Sequence, residues 1–417
     1  MNAPEKITFA VPTALRGTEQ MGRARRFPFL LAILVSTVAA SVVILKFAPA
    51  PFFWLWLTWA AVLFAAIFVV HRSWPRAILF NLGIVACLLA AAEAHYFTTE
   101  KYAARTVSDG FYAHDDVLGW APTKGIEAHV VKANPGSLLH HPRGLMYDVR
   151  YTIDADGLRV APSYGKNDLA RTIVFLGCSY AFGSGLEDDE TLPYQLGVQS
   201  GGRYRTFNFS FEGYSPAQML AEIEHGMVRR VVDGSPQYAY YVAIPHHVWR
   251  VAGRVPWIQH EPRYVLDANG NVHQEGFFEV RKTWAERLGI GRRVVGQLDK
   301  SALWRLLSMS ESRVTDDDVR LYFAMVRRSQ ELLKTQYPGV QFRVILWPNQ
   351  DVPQERAVYE EMREQFRRLE IPVDLVEDIL PDYHTSREKF QISSSDDHPS
   401  ALANHLLAQY LLNQTAE

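Results

Sequence analysis

Cysteine is scarce in this chain of 417 residues, where only Cys87 and Cys178 carry a thiol. Cys87 lies in an apolar run and Cys178 far downstream in the soluble part of the chain. A disulfide between them would need one partner in lipid and one in water, so none is expected. No Cys/His cluster has the spacing of a zinc site, and neither a metal nor another cofactor is expected. Net charge is nearly absent as well. Lys and Arg number 43 against 45 Asp and Glu, for a formal charge of −2. Such a balance gives no global attraction to nucleic acid, and no nucleic-acid partner is expected. Internal repeats and low-complexity tracts are also missing.

What the sequence does have is an uneven distribution of apolar residues. Three apolar runs fall in the first hundred positions: Phe27 to Leu45, Phe47 to Val70, and Ala77 to about Ala92. A spanning helix needs about 20 such residues. The first two runs meet that length, and the third does so only with its aromatic end, His95-Tyr96-Phe97. None of the three supplies the polar face that a helix packed in a soluble domain would show. Ala48-Pro49-Ala50 has the small residues of a signal-peptide cleavage site. However, the first run exceeds the usual core of about 7–15 residues, so retention as a helix is expected.

The expectation is a three-helix transmembrane anchor over 27–97 behind a cytoplasmic tail, 1–26. Arg16, Arg23, Arg25 and Arg26 precede the first helix, and Arg72 and Arg76 lie between the second and third. The excess of basic residues at those positions places them inside, with everything after Phe97 outside. In a bacterium this means the inner membrane, with the polar part of the chain periplasmic.

Residues 98–165 read as an extracytoplasmic lead-in module rich in Gly, Pro, His and Asp. Tyr147 to Ile153 alternates as a strand would. From residue 166 to 417 strands alternate with helices. Thr172–Leu176, Thr206–Phe209, Tyr238–Ile244, Phe342–Trp347 and Val373–Val376 read as strands. Ser215-Pro216 and Thr315 with Asp318 carry helix-start signals. Solid apolar strands between helices predict a buried parallel sheet covered on both faces. Sites in such sheets lie at the carboxyl ends of the strands, here after Leu176, Phe209, Ile244 and Trp347. An insertion at about 250–310 interrupts the alternation.

Three segments at those ends carry chemistry. Gly177-Cys178-Ser179 follows the first strand, so Ser179 is presented at the sheet edge in a glycine-flanked turn. Gly213 follows the second strand and can lend a backbone N–H to an oxyanion. Asp396-Asp397-His398-Pro399 precedes the last helix. A serine hydroxyl needs a base to take its proton, and that base needs a carboxylate to orient it. Each segment alone has a plain reading as a turn serine, a loop glycine or a solvated helix start.

Together they resemble the SGNH (GDSL-like) hydrolase superfamily over about Thr172 to Leu412. Residues 116–120 and 147–159 resemble the lead-in of its membrane-anchored bacterial branch. The resemblance implies a flavodoxin-like three-layer α/β fold with a parallel sheet. It also implies a serine esterase with Ser179 as nucleophile, His398 as general base and Asp396 as its orienter. The N–H groups of Ser179 and Gly213 would form the oxyanion hole. Three features depart from the family pattern. Cys178 replaces the first-block Asp, and is expected to be a small buried support for the turn. Ser395 holds the slot of the commoner Asp-x-x-His carboxylate, with Asp397 a second candidate. The third-block Asn is missing; His246, in Ile244-Pro245-His246-His247, falls at its position, and either histidine could donate through a ring N–H.

His247, Trp249 and Arg250 are candidates to touch substrate, and with Trp257, Trp284 and Arg254 could stack on sugars. Packing a cap is the commoner fate of such residues. The expected function is removal of acyl groups from an acylated carbohydrate or other ester of the envelope or of an exported polysaccharide. The alternatives are acyl transfer, which would need a membrane-protein partner, and a non-catalytic scaffold role in envelope assembly.

Overall fold

The computed structural model describes residues 31–70, 72–99, 105–141, 143–162, 171–255, 258–279, 292–298, 300–308, 313–348 and 353–415. Trp257 and Trp284 lie outside them. The chain divides into two compact units. One comprises Met1–Glu100, Ser137–His141 and Gly291–Arg305, the other Lys101–Gly136, Pro142–Ile290 and Leu306–Glu417.

The first unit is helical. Leu31–Phe47 is an apolar helix, and Pro51–Val69 and Ser73–Thr99 follow it. Proline at the first position of the second helix suits its start, because no intrahelical acceptor exists there for an N–H. Three spans were expected, but among the described residues two helices are long and apolar enough to cross a membrane. The Leu31–Phe47 helix falls short of that length, and the residues before it lie outside the described set. Within this unit Trp54 donates its indole N–H to the Leu138 carbonyl at 2.9 Å. Glu93 is buried and accepts from the Ser301 hydroxyl and, at 2.9 Å, from the Ala302 N–H. The buried carboxyl group thus finds hydrogen-bond donors, as burial of a polar group demands.

The second unit is α/β. Numbered along the chain, its strands begin with β1 (Arg105–Val107), β2 (Tyr112–Asp115), β3 (Gly119–Pro122), β4 (Glu127–Ala133) and β5 (Leu145–Thr152). β2 and β3 form a hairpin, and β1, β4 and β5 an antiparallel sheet in the order β1-β4-β5. The main sheet uses β6 (Arg171–Gly177), β7 (Tyr204–Asn208) and β8 (Pro236–Ala243). A hairpin of β9 (Pro262–Leu266) and β10 (Val272–Phe277) intervenes before β11 (Gln341–Leu346) and β12 (Val373–Leu375) complete that sheet. Its order is β12-β11-β8-β6-β7, and every pairing is parallel. That is the flavodoxin-like order, with its switch point between β6 and β8. A last hairpin, β13 (Gln391–Ser393) with β14 (Asp396–Pro399), precedes the final helix, Ala401–Gln414.

The period-2 alternation of β6 explains the layering. Val174 and Leu176 face one core with the helices Pro216–Glu224, Asp316–Gln336 and Pro353–Arg368. Ile173 and Phe175 face the other, with Leu192–Gln199 and Ala401–Gln414. All four side chains are fully buried, and each such side chain contributes roughly 1.5–3 kcal/mol. The capping signals read from sequence are present. Ser215 closes a capping box with Gln218, and Thr315 one with Asp318.

A third core joins the lead-in strands to the loops of the main sheet. Phe111, Val130, Tyr147, Val149 and Tyr151 pack with Phe182, Phe211 and Tyr214. The lead-in strands therefore pack on the loops that follow β6 and β7, where the candidate site lies.

Candidate active site

The turn that carries Ser179 is built from local backbone constraints. Gly177 has φ +149°, and a Cβ there would lie 2.8 Å from the Val242 carbonyl oxygen on the neighbouring strand. Only glycine lets β6 turn this close to β8. Cys178 follows in extended conformation as N-cap of the short helix Ser179–Phe182, which Gly183 ends at φ +84°. Cys178 is fully buried in the apolar core beside Tyr180 and Ala181, so it serves as packing under the turn.

Ser179, at the mouth of this helix, meets the β13–β14 hairpin. His398 Nε2 lies 2.9 Å from Ser179 Oγ. His398 Nδ1 lies 2.6 Å from Asp396 Oδ1, which also accepts the His398 backbone N–H at 3.2 Å. The three side chains thus form a continuous hydrogen-bonded line from carboxylate through imidazole to hydroxyl. The ring of Tyr180 lies 5.1 Å from that of His398 and is itself met edge-on by Trp347 from the end of β11. Asp397 is turned to Tyr180 and not to the Nδ1 side of His398.

Electrostatics fit this arrangement. Burial raises the Asp396 carboxyl, but hydrogen bonding and charge from His398, together with Lys132, outweigh it. The group ends well below the usual carboxylate range. Burial likewise lowers the His398 imidazole, the hydrogen bond and charge of Asp396 and the charge of Asp397 raise it, and the net result lies above the ordinary histidine value. Asp396, Asp397 and His398 offer three donor atoms within 4.8 Å of one another. Both Asp396 oxygens are already engaged, one by the Lys132 ammonium, and both His398 nitrogens face hydrogen-bond partners.

The loop after β7 is pinned from several sides. Gly213 adopts φ +81°. The neighbouring Glu212 accepts from Arg105 at 2.5 Å, from Ser184 at 2.6 Å and from the Tyr112 hydroxyl. Trp120 donates to the Glu212 carbonyl at 3.1 Å, and Arg250 to that of Tyr214 at 2.7 Å. Among the described residues neither the Ser179 N–H nor the Gly213 N–H donates to a protein acceptor. Both line a cleft of about 590 Å³ together with His398, Lys132, Tyr147, Arg105, Tyr112, Trp120, Ser184, Glu212, Arg250 and Gln259.

The structure places the remaining sequence candidates differently. His246 does not line the cleft. Its ring stacks on Trp249, and its Nδ1 accepts from Arg250 at 3.2 Å. His247 is fully buried, 2.6 Å from the Tyr241 hydroxyl. Trp249 packs in the core. The physical reason is that the chain turns directly into a helix, His247–Val251, after β8. Successive side chains then point about 100° apart, so only Arg250 of these reaches the cleft. Arg254 pairs with Asp318 in place of facing it.

Sequence reasoning missed Arg105, Tyr112, Trp120, Lys132 and Tyr147, all from the lead-in strands, and Glu212. The one available signal was position. Glu212 is adjacent to Gly213, in a loop already expected to border the site.

No family model and no curated protein matches the sequence. Among solved structures the chain is similar to a member of the lipolytic protein G-D-S-L family from Veillonella parvula. Identity is 13%, covering 60% of this chain and 100% of that chain, with a TM-score of 0.35. It is also similar to the psychrotrophic esterase EstA from Pseudoalteromonas sp., at 10% identity over 59% of this chain and 97% of that one, with a TM-score of 0.31.

Proposed function

We propose that the second unit is a serine esterase in which Ser179, His398 and Asp396 form the catalytic triad. One observation carries this reading: the continuous line from Asp396 Oδ1 through His398 to Ser179 Oγ, at 2.6 and 2.9 Å, at the carboxyl end of a parallel sheet. His398 takes the Ser179 proton as the hydroxyl oxygen attacks an acyl carbonyl. The Ser179 and Gly213 N–H groups hold the developing oxyanion, the role for which uncommitted backbone donors suit best. His398 then passes its proton to the leaving alcohol. A water molecule, deprotonated by the same imidazole, releases the acyl group.

With the Leu31–Phe47 helix counted as a third crossing, the apolar helices and the basic residues flanking them support a membrane-anchored enzyme whose esterase unit lies outside the inner membrane. An acylated envelope component or exported glycan is the substrate class that follows from that location.

The test is a fluorophosphonate probe applied to the full-length protein, with the adduct mapped by mass spectrometry. An adduct on Ser179 and turnover of a short-chain p-nitrophenyl ester are expected. Labelling with no ester turnover would favour transfer of the acyl group to an acceptor other than water. A folded protein that does neither sinks the reading.

The pH dependence follows from His398. The imidazole must be neutral to accept the serine proton, and its pKa is raised by Asp396 and Asp397 against the opposing effect of burial. Activity is therefore lost as pH falls through a value above the ordinary 6.5. A pH profile of kcat/KM is expected to place its acid limb there.

A further inference from the structure

We infer that Lys132, on a strand of the lead-in sheet, is a positioning residue of the catalytic triad that fixes Asp396 and sets the basicity of His398. The inference rests on the reading of Ser179, His398 and Asp396 as that triad.

The geometry divides the carboxylate between two partners. Asp396 Oδ1 accepts from His398, while Oδ2 accepts from Lys132 Nζ at 2.6 Å. The Asp396 side chain is only 3% exposed and that of Lys132 17%, so water and salt screen the pair little. The ammonium also sits 5.9 Å from the centre of the Tyr147 ring, which closes one side of it. The ring and backbone N–H groups of His398 both meet Oδ1, so without Lys132 the second oxygen would be free to swing about the broad terminal torsion. With an ammonium on the second oxygen, the first stays aimed at His398.

Charge follows the same geometry. His398 is faced by Ser179 and Tyr180 from the nucleophile helix, by Asp396 and Asp397 from its own strand, and by Lys132 from β4. Tyr147 of β5 stands beside Lys132, and Arg105 and Glu212 sit in the same cleft as a neutral pair. Two carboxylates raise the imidazole and one ammonium lowers it. Arg250 also lines the cleft, where it donates to the Tyr214 carbonyl and to His246, and Lys132 is the cation that acts on His398 through the shared Asp396. Without it the imidazole would hold its proton to higher pH and be a poorer acceptor at neutrality.

The lead-in sheet thereby becomes part of the catalytic centre rather than a spacer. The sequence separation between Lys132 and Asp396 is 264 residues, so the pair forms only when both parts have folded together.

The experiment compares wild type with Lys132→Met, Lys132→Gln and Lys132→Arg in the full-length protein in detergent. Two readouts are taken: the acid limb of kcat/KM, and the His398 titration by ¹⁵N-histidine NMR, assigned through the signal lost in His398→Gln. In the Met and Gln variants both readouts are expected to move up by about one pH unit, a tenfold loss of kcat/KM below the limb. Lys132→Arg is expected to keep them near wild type. Folding is checked by near-UV circular dichroism, and Gln stands in should Met fail to fold. An unmoved His398 titration in a folded Met or Gln variant overturns the inference, as does an Arg variant that shifts as far as Met. The NMR readout needs no substrate. Absence of ester turnover would therefore count against the esterase reading alone, and leave the Lys132 effect on His398 measurable.

Discussion

Ser179→Ala is expected to lower kcat for a short-chain p-nitrophenyl ester by roughly 10⁴–10⁶-fold while leaving the fold intact. The side chain is buried, and among the described residues its hydroxyl has one partner, His398 Nε2. Removing it deletes the attacking atom but costs little packing, because Ala fills the same helix position at no conformational penalty. Some rate above water should survive. The Ser179 and Gly213 N–H groups are backbone and remain in the alanine protein, and a residual of about 10³-fold is typical of an oxyanion hole acting without its nucleophile. His398→Gln should lose nearly as much, and the double variant little more than either alone, because both groups act in one step. The measurement is steady-state hydrolysis with active-site titration. Full additivity of the two losses would mean that the serine and the histidine do not act together.

The line of Asp396, His398 and Ser179 was legible because its signals are local. Ser179 follows a solid apolar strand and a glycine, and Asp396 and His398 stand two residues apart before a capped helix. Strand pattern, turn chemistry and capping each act over a few residues, and the main sheet follows from them. The donor expected at His246 was misplaced for a related reason. Register along β8 was extended by one side chain too many, whereas the backbone had already turned into a helix that buries His247 and Trp249 and delivers Arg250. The clamp at Lys132 left no signal at all. Its partner is 264 residues away, and in Val130-Val131-Lys132-Ala133 it reads as an ordinary outward-facing position on a short strand. Arg105 and Glu212, separated by 107 residues, were hidden in the same way. Such pairs depend on how two sheets pack, which a sequence pattern does not encode over a few residues.

Arg159 offered a clue of a different kind, since it stands in the run Leu158-Arg159-Val160-Ala161, where a charge has no reason to be unless it is paired. Its side chain is completely buried. The guanidinium lies 4.2 Å from the Tyr151 ring centre and 4.8 Å from that of Phe182. It donates to Asp188 at 3.0 Å, to the Phe182 and Gly183 carbonyls at 3.0 and 2.6 Å, and to the Leu186 carbonyl at 2.6 Å. Burial pulls its pKa below the ordinary arginine value, and Asp188 opposes that pull. Arg159 therefore ties down the segment leaving the Ser179–Phe182 helix.

Arg159→Leu would fill much of the volume but leave the Phe182, Gly183 and Leu186 carbonyls without these donors. It would also leave Asp188 facing an apolar group. Breaking a buried pair in this way costs about 3–5 kcal/mol. For a unit of this size that is a fall in Tm of about 10 °C, measured by thermal unfolding of the full-length protein. Arg327→Ala is the matched comparison. Its pair with Glu331, at 3.1 Å on an exposed helix face, is expected to contribute under about 0.5 kcal/mol. Equal effects from the two substitutions would mean that the Arg159 network carries no more weight than a surface pair. A large loss at Arg159 alone, accompanied by lower kcat in the surviving folded fraction, would tie the stability of this loop to the placement of Ser179. The physical link is short. Gly183, whose carbonyl Arg159 holds, ends the four-residue helix that begins at Ser179, and its own N–H donates to the Ser179 carbonyl at 3.0 Å.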